Sequence, residues 1–276
     1  MTTIAALLRD ASTQLETETP RLDAELLLGF VLQKNTAWFL AHGDDELPFP
    51  AQEKFLELLD RRIAGEPIAY IIGSRGFWTL DLSVTADTLI PRPETELLVE
   101  LAIAKYAQDK KLCILDLGTG TGAIALAIAS ECKNSEVLAV DKSAAALAVA
   151  RENARRNNLA IEFIESDWFV ALAGKKFDLI VSNPPYIPDQ DPHLSHSDVR
   201  FEPITALASG ADGLDDIRLI ITQAPQYCLP QAWLMIEHGF DQGKAILALF
   251  SEAGFINIET VQDLEQRDRV TIGQFL

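Results

Sequence analysis

Apolar residues recur at two different spacings along this chain, and the change from one to the other divides it. The first part has helical spacing. Ile4, Leu7, Leu8 and Leu15 lie on one side of a helix. Leu22, Leu26, Leu27, Phe30 and Val31 form a stripe over residues 21–32, behind Pro20, and Phe55, Leu58, Leu59 and Ile63 repeat the pattern after Pro50. Gly65 and Pro67 stop that helix, and Trp38, Phe39 and Leu40 are expected in the core of the resulting small bundle. Over 70–84 the composition turns to β-branched and aromatic residues broken by Gly73 and Gly76, which predicts a hairpin. From Leu112 onward strand and helix alternate. Apolar runs at 112–117, 137–140, 161–164, 177–181 and 233–236 predict strands, with helices over 143–157 and 239–252 among those between them. Such alternation predicts an α/β fold, a mainly parallel sheet with helices on both faces. Two last runs, 256–261 and 269–275, have no helix between them and predict an antiparallel hairpin at the sheet edge.

Composition narrows the function. The chain has 276 residues, 48% of them apolar, enough for two domains or for one with an appendage. The formal net charge is −18. Such a surface repels phosphate backbones, and the densest basic stretch, 151–156, has the spacing of a solvated helix face, so no direct nucleic-acid binding is expected. Cys113, Cys132 and Cys228 are odd in number and far apart. They read as free thiols of a reducing compartment, with no zinc spacing, and no metal is expected. The start of the chain lacks a basic segment followed by a long apolar one, and no run is long enough to span a bilayer; a cytoplasmic protein without membrane attachment is expected. His193 and His196 are spaced i, i+3 but lie in a polar loop over 188–197 with no third ligand, so a surface loop is the expectation. Arg200 and Glu202 suit either contact with a protein or a structural salt bridge. Glu237 and His238 end a buried strand and are expected to be a satisfied pair.

Chemistry concentrates where predicted strands end. Asp116-Leu117-Gly118-Thr119-Gly120-Thr121-Gly122 closes one strand and opens a helix. Glycines there let the backbone turn tightly and approach a ligand. Asp141 ends the next strand, where a carboxylate can accept from both hydroxyls of a ribose. The spacing has two readings. Gly118, Gly120 and Ala123 satisfy a dinucleotide fingerprint, which suits a nicotinamide enzyme; G-x-G-x-G behind Asp116 suits S-adenosylmethionine-dependent methyl transfer. No partner for hydride transfer is evident, which favours the second. Asp167 and Trp168 follow the third strand and can take an adenine, the carboxylate accepting from its amine and the ring packing on its face. Asn183-Pro184-Pro185-Tyr186 follows the fourth. It offers an amide side chain, backbone carbonyls and an aromatic face, groups suited to gripping a planar NH2.

Together these segments make the chain resemble the bacterial peptide chain release factor glutamine N5-methyltransferases. The likeness spans nearly the whole chain. Beyond the glycine loop and Ser182–Pro188 it includes Leu89 to Glu96 (Leu-Ile-Pro-Arg-Pro-Glu-Thr-Glu), Phe201-Glu202-Pro203, Gly210 to Leu214, Ile236 to Gly239 and Arg267 to Val270. The resemblance implies a Rossmann-like class I S-adenosylmethionine-dependent methyltransferase sheet at 93–276, a helical N-terminal domain at 1–68 that docks substrate, and a hairpin linker at 69–92. It implies S-adenosyl-L-methionine as cofactor, S-adenosyl-L-homocysteine as product, and the glutamine of the Gly-Gly-Gln loop of class 1 release factors as acceptor. It places Gly118, Thr119, Gly120, Thr121, Gly122, Asp141, Asp167, Trp168 and Asn183 around the cofactor. It places Asn183, Pro184, Pro185 and Tyr186 around the glutamine amide, with Asn183, Pro184 and Tyr186 catalytic and Arg92 and Glu94 in the linker near the methionine end of the cofactor or the substrate mouth. Three rivals share parts of the pattern. A ribosomal-protein glutamine methyltransferase would use the same tetrapeptide. An N6-adenine methyltransferase would need basic grooves to hold its strand. A non-catalytic cofactor-binding module would have no use for 183–186.

Overall fold

A computed structural model describes residues 2–105, 111–195 and 198–276. The chain separates into two compact units, Met1–Ser74 and Arg75–Leu276.

The first unit is helical: α1 (Ile4–Ser12), α2 (Pro20–Leu32), α3 (Thr36–Ala41), α4 (Phe49–Ile63) and α5 (Ile68–Ile72). Thr3 caps α1 by accepting from the Ala6 N–H, and Asn35 caps α3 by accepting from the Trp38 N–H. The core comprises Leu7, Leu8, Leu27, Leu28, Phe55, Leu58 and Leu59 with their neighbours. The stripe expected along α2 is turned. Leu22, Leu26 and Phe30 face solvent, while Asp23, Ala24, Leu27 and Leu28 are buried. Apolar residues occupy more than one side of this helix, so periodicity alone left the buried side open. A polar pair decides it: Arg62 Nε donates to Asp23 Oδ2 at 2.9 Å, and both side chains are 7% exposed. A charge of that kind can be buried only with its partner, so α2 rotates until Asp23 meets α4. Leu40 and Ile63 also lie outside the core that their patterns predicted.

The second unit opens with a two-stranded sheet, β1 (Ser74–Phe77) and β2 (Leu80–Ser83). There follow α6 (Glu96–Ala104), β3 (Cys113–Leu117), α7 (Ala123–Glu131), β4 (Glu136–Asp141), α8 (Ala144–Arg156), β5 (Glu162–Glu165), β6 (Phe177–Ser182), α9 (Asp215–Gln223), β7 (Cys228–Glu237), α10 (Gly243–Glu252), β8 (Ile256–Gln262) and β9 (Asp268–Gln274). The large sheet has seven strands in the order β5-β4-β3-β6-β7-β9-β8. Five are parallel, and β9 and β8 add antiparallel at the end. The parallel sheet, the helical layers and the closing hairpin are those expected from the alternation. One face packs α6 and α7 through Leu98, Val99, Leu126 and Ile128. The other packs α9 and α10 through Ile217, Ile220, Ile246 and Phe250. Buried on both faces, the central strands read as continuous apolar runs. The small hairpin is tied to α8 by the buried Asn153, which donates to the Ser83 and Thr121 carbonyls and accepts from the Ser83 N–H.

The buried pair gives a test. Arg62→Ala strands the Asp23 carboxylate and should destabilise the N-terminal unit by roughly 3–5 kcal/mol, whereas Arg62→Met with Asp23→Leu should recover most of the loss. Hydrogen exchange of the α2 and α4 amides in the full chain reads both; unchanged protection in Arg62→Ala would contradict the analysis.

Candidate active site

Register brings the chemistry into one row. Leu117 is level with Val140 on β4 and with Ser182 on β6, and Ser182 is level with Ile236 on β7. The next residue on each strand is Gly118, Asp141, Asn183 and Glu237 respectively. Chain order reverses between β3 and β6, since β4 and β5 lie to one side of β3 and β6 to the other. A crevice opens at the carboxyl end of such a switch point. It is lined by Ala86–Leu89, Gly118, Gly120, Asp141–Ser143, Ala146, Ser166–Trp168, Asn183, Pro185, Pro203, Thr205 and Ala206.

The glycine loop is held from below. Gly118 and Thr119 both donate N–H to the Val140 carbonyl, and Gly120 donates to Asp141 Oδ2 at 2.9 Å. The other Asp141 oxygen accepts from the Ser143 N–H. Gly118 has φ +72°, and a Cβ there would lie 3.2 Å from the Trp168 ring. The residue is therefore glycine both for its backbone angle and for its neighbour. Thr119 turns inward and donates to Asp116 Oδ2 at 2.6 Å. The Ala125 N–H meets the same oxygen, and Asp116 Oδ1 is buried without a partner among the described residues. Burial pushes the Asp116 carboxyl up to about 7, against those two hydrogen bonds.

Trp168 is 8% exposed, and its Nε1 donates to Asp216 Oδ1, whose other oxygen accepts from the Ser209 hydroxyl. Its ring is thus fixed in place beneath Gly118. Asp167 is exposed on the crevice wall.

At the end of β6, Asn183 Nδ2 donates to Thr95 Oγ1 at 3.1 Å. Among the described residues nothing donates to Asn183 Oδ1 or to the Pro184 carbonyl. Pro184 and Pro185 are buried. The Tyr186 N–H donates to the Leu207 carbonyl, and its own carbonyl accepts from Gln242 Nε2. Gly213 closes over that carbonyl: with φ +75°, a Cβ on it would lie 2.2 Å from the Tyr186 oxygen. Burial pushes the Tyr186 phenol up to about 12, so it stays protonated. Arg92 pairs with the buried Glu202, which also accepts from the Ile90 N–H. That ion pair ties 89–92 to the loop holding Pro203.

Of the residues singled out from sequence, Gly118, Gly120, Asp141, Asp167, Trp168, Asn183 and Pro185 share the crevice lining. Thr119, Thr121, Gly122, Pro184, Tyr186, Arg92 and Glu94 stand outside it, as supports or neighbours. The linker segment 86–89 lines the crevice, which its composition did not suggest. Glu237 departs from the expected satisfied pair. His238 is satisfied, by the Gly239 carbonyl and Thr271 Oγ1, but among the described residues Glu237 Oε2 is buried with no partner. His193 is exposed beside Asp191; His196 lies outside the described residues. Among the described residues no group of three or more His, Cys, Asp or Glu is placed to hold a metal, and no helix is long and apolar enough to cross a membrane.

The donor set fits S-adenosylmethionine. Asp141 keeps free lone pairs toward the crevice for a ribose diol, Gly118 and Gly120 leave room for close approach, and carboxylates on the walls suit a cationic ligand. Comparison with known proteins agrees. Residues 6–73 match the family described as PrmC N-terminal domain, and residues 93–199 match the methyltransferase small domain. A solved methyltransferase of Pyrococcus furiosus superposes with a TM-score of 0.55 at 16% identity, covering 78% of this chain and 96% of that one. The Thermus thermophilus 16S rRNA N2 G1207 methyltransferase, solved with AdoMet and guanosine, superposes with a TM-score of 0.53 at 20% identity, covering 74% and 50%. These two share the fold. Closer in sequence is the release factor glutamine methyltransferase of Xylella fastidiosa (strain 9a5c), 52% identical over 98% of this chain and 97% of its own. Those of Pseudomonas aeruginosa and Escherichia coli (strain K12) are 50% identical, over 100% and 99%, and 47% identical, over 97% of each. The chain belongs to the release factor glutamine methyltransferase family.

Proposed function

We propose that this chain transfers a methyl group from S-adenosyl-L-methionine to the side-chain amide nitrogen (N5) of the glutamine in the Gly-Gly-Gln loop of class 1 release factors. One observation carries the reading. A free amide oxygen, Asn183 Oδ1, stands level with the glycine loop and Asp141 at the switch point of the sheet.

An amide nitrogen is a poor nucleophile, because its lone pair is delocalised into the carbonyl. Bound in the crevice, S-adenosylmethionine supplies an electrophilic methyl group on a sulfonium. What the chain must add is alignment. Asn183 Oδ1 accepts one N–H of the glutamine amide and the Pro184 carbonyl accepts the other. Pro185 and Tyr186 bound the amide face. Both acceptors draw electron density onto nitrogen and favour the positive charge that grows there. Alignment of this kind accounts for roughly 7–11 kcal/mol of barrier in favourable cases. Tyr186, with its proton held, packs and does not act as base, so the proton that the methylated nitrogen must lose, as S-adenosyl-L-homocysteine leaves, passes to water.

On the cofactor side, Asp141 takes the ribose, the glycine loop from Gly118 to Gly122 supplies the close backbone, and Asp167 with Trp168 takes the adenine. Arg92 acts through its pair with Glu202, holding the crevice rim, and Glu94 lies near the acceptor end. The N-terminal helices, 1–68, dock the protein substrate, the segment 69–92 links them to the methyltransferase domain at 93–276, and the enzyme works in the cytoplasm without a metal.

Radiolabelled S-adenosylmethionine offered with purified release factors, ribosomal proteins or DNA tests the reading. Label mapped to glutamine of the Gly-Gly-Gln loop is the expected result; label confined to a ribosomal protein or to DNA would overturn it. Asn183→Ala should slow single-turnover methylation by roughly 10²–10³-fold, in line with loss of one preorganised hydrogen-bonding group. Asp141→Ala should instead weaken cofactor affinity in calorimetric titration; affinity at the wild-type level would remove Asp141 from the ribose site.

A further inference from the structure

We propose that Glu237 is a positioning residue that decides which end of the Asn183 carboxamide faces the crevice. The inference rests on the reading that Asn183 grips the substrate amide.

A carboxamide has two ends of nearly the same shape and opposite polarity. Turned one way, Asn183 presents an oxygen to the glutamine NH2. Turned the other way it presents an NH2, so that donor meets donor and the grip is lost. Thr95 cannot choose between these states. By itself its hydroxyl, which accepts from Asn183 Nδ2 as found, could equally donate to an oxygen in the same place; it is held to accepting only while its one proton goes to Glu237. A carboxylate can choose, because when ionised it only accepts.

Glu237 is placed to do so. It is the residue level with Asn183 on the neighbouring strand, since Ser182 pairs with Ile236. It is 1% exposed, and the Thr95 hydroxyl and Asn183 amide both favour its ionised form by hydrogen bonding. Among the described residues its Oε2 has no partner. With the Thr95 hydroxyl and the ionised Glu237 carboxyl both on its inner side, the Asn183 NH2 points inward and Oδ1 is left to the crevice. An unpartnered buried carboxyl oxygen costs stability, so nothing in packing accounts for it.

The same geometry makes the orientation depend on pH. Burial lifts the Glu237 carboxyl to about 7, with Glu94 at the head of α6 raising it further; Arg269 on β9, Thr95 and Asn183 oppose the rise. Tyr186, whose phenol is raised first by burial and then by the Glu237 charge, stays protonated. Once protonated, Glu237 can donate to Asn183 Oδ1, and the reversed carboxamide is no longer excluded. Lower pH thus releases the orientation and higher pH fixes it.

Single-turnover methylation with saturating cofactor tests this in four variants: Glu237→Gln, Glu237→Asp, Asn183→Ala and Glu237→Gln with Asn183→Ala. Glu237→Gln keeps the shape but offers an NH2, and should slow transfer by roughly 10–100-fold, as loss of a supporting hydrogen bond does in other active sites. Its S-adenosylmethionine affinity by calorimetry should be unchanged, which also reports that the site is folded. Glu237→Asp, shorter but still an acceptor, should be faster than Glu237→Gln; a purely structural role would give the reverse order. The double variant should be no slower than Asn183→Ala, because residues acting through one another are not additive. The unmodified rate should fall as pH drops through about 7, and Glu237→Gln should lose that limb. Additive losses, a wild-type rate in Glu237→Gln, or Glu237→Gln outpacing Glu237→Asp would overturn the inference. Asn183→Ala at the wild-type rate would overturn the parent reading as well.

Discussion

Carboxylates accepting from backbone and side-chain donors hold the working edge of this sheet together. Loops that leave the carboxyl ends of strands carry N–H groups with no ladder to join, and each needs an acceptor. Asp116 takes the Thr119 hydroxyl and the Ala125 N–H. Asp141 takes the Gly120 and Ser143 N–H groups. Glu202 takes the Ile90 N–H and the Arg92 guanidinium. Asp216 takes the Trp168 indole and the Ser209 hydroxyl. Four loops from distant parts of the chain are thereby fixed around one crevice. Sheet packing alone would leave them free to move.

That arrangement has an electrostatic result. Acidic groups gather around the crevice, Asp87, Asp141 and Asp167 among them, so the scaffold that shapes it also favours a cationic occupant. It has a cost too. Asp116 and Glu237 are buried deeply enough to be lifted to about 7. Raised carboxyl pKa values mean that folding favours the protonated form. The associated stability is greatest below the unfolded-state pKa and is lost as pH rises toward 7. The edge of the sheet therefore keeps two buried acids raised toward neutrality.

The sheet was legible because buried parallel strands leave unbroken apolar runs, such as 177–181. The tetrapeptide and glycine loop were legible because their residue types have few other uses. The orientation of α2 was not, since apolar residues sit on several of its sides and the choice fell to a pairing of Asp23 with Arg62, 39 positions away. The part of 86–89 in the crevice wall was equally hidden, as nothing in Ala-Asp-Thr-Leu marks a ligand. Gly213 belongs to the 210–214 segment that carries the family likeness, but its reason shows only in three dimensions: the Tyr186 carbonyl fills the space of a side chain. Glu237 gained its meaning only from register, which sets it beside an asparagine 54 residues earlier.

The two free margins of the large sheet have a consequence for the molecule in a crowded solution. An exposed strand border is a template for pairing with another copy. Here β5 is four residues long and begins and ends in glutamate, so an incoming strand would meet like charge. On β8 the pairing slips twice, between Ile256 and Glu259 and between Val261 and Gln262, and Asn257 turns to φ +50°. Bulges of this kind bend the border away from a straight partner. Joined to a surplus of 18 negative charges, these irregularities protect against fibrous association at both ends of the sheet.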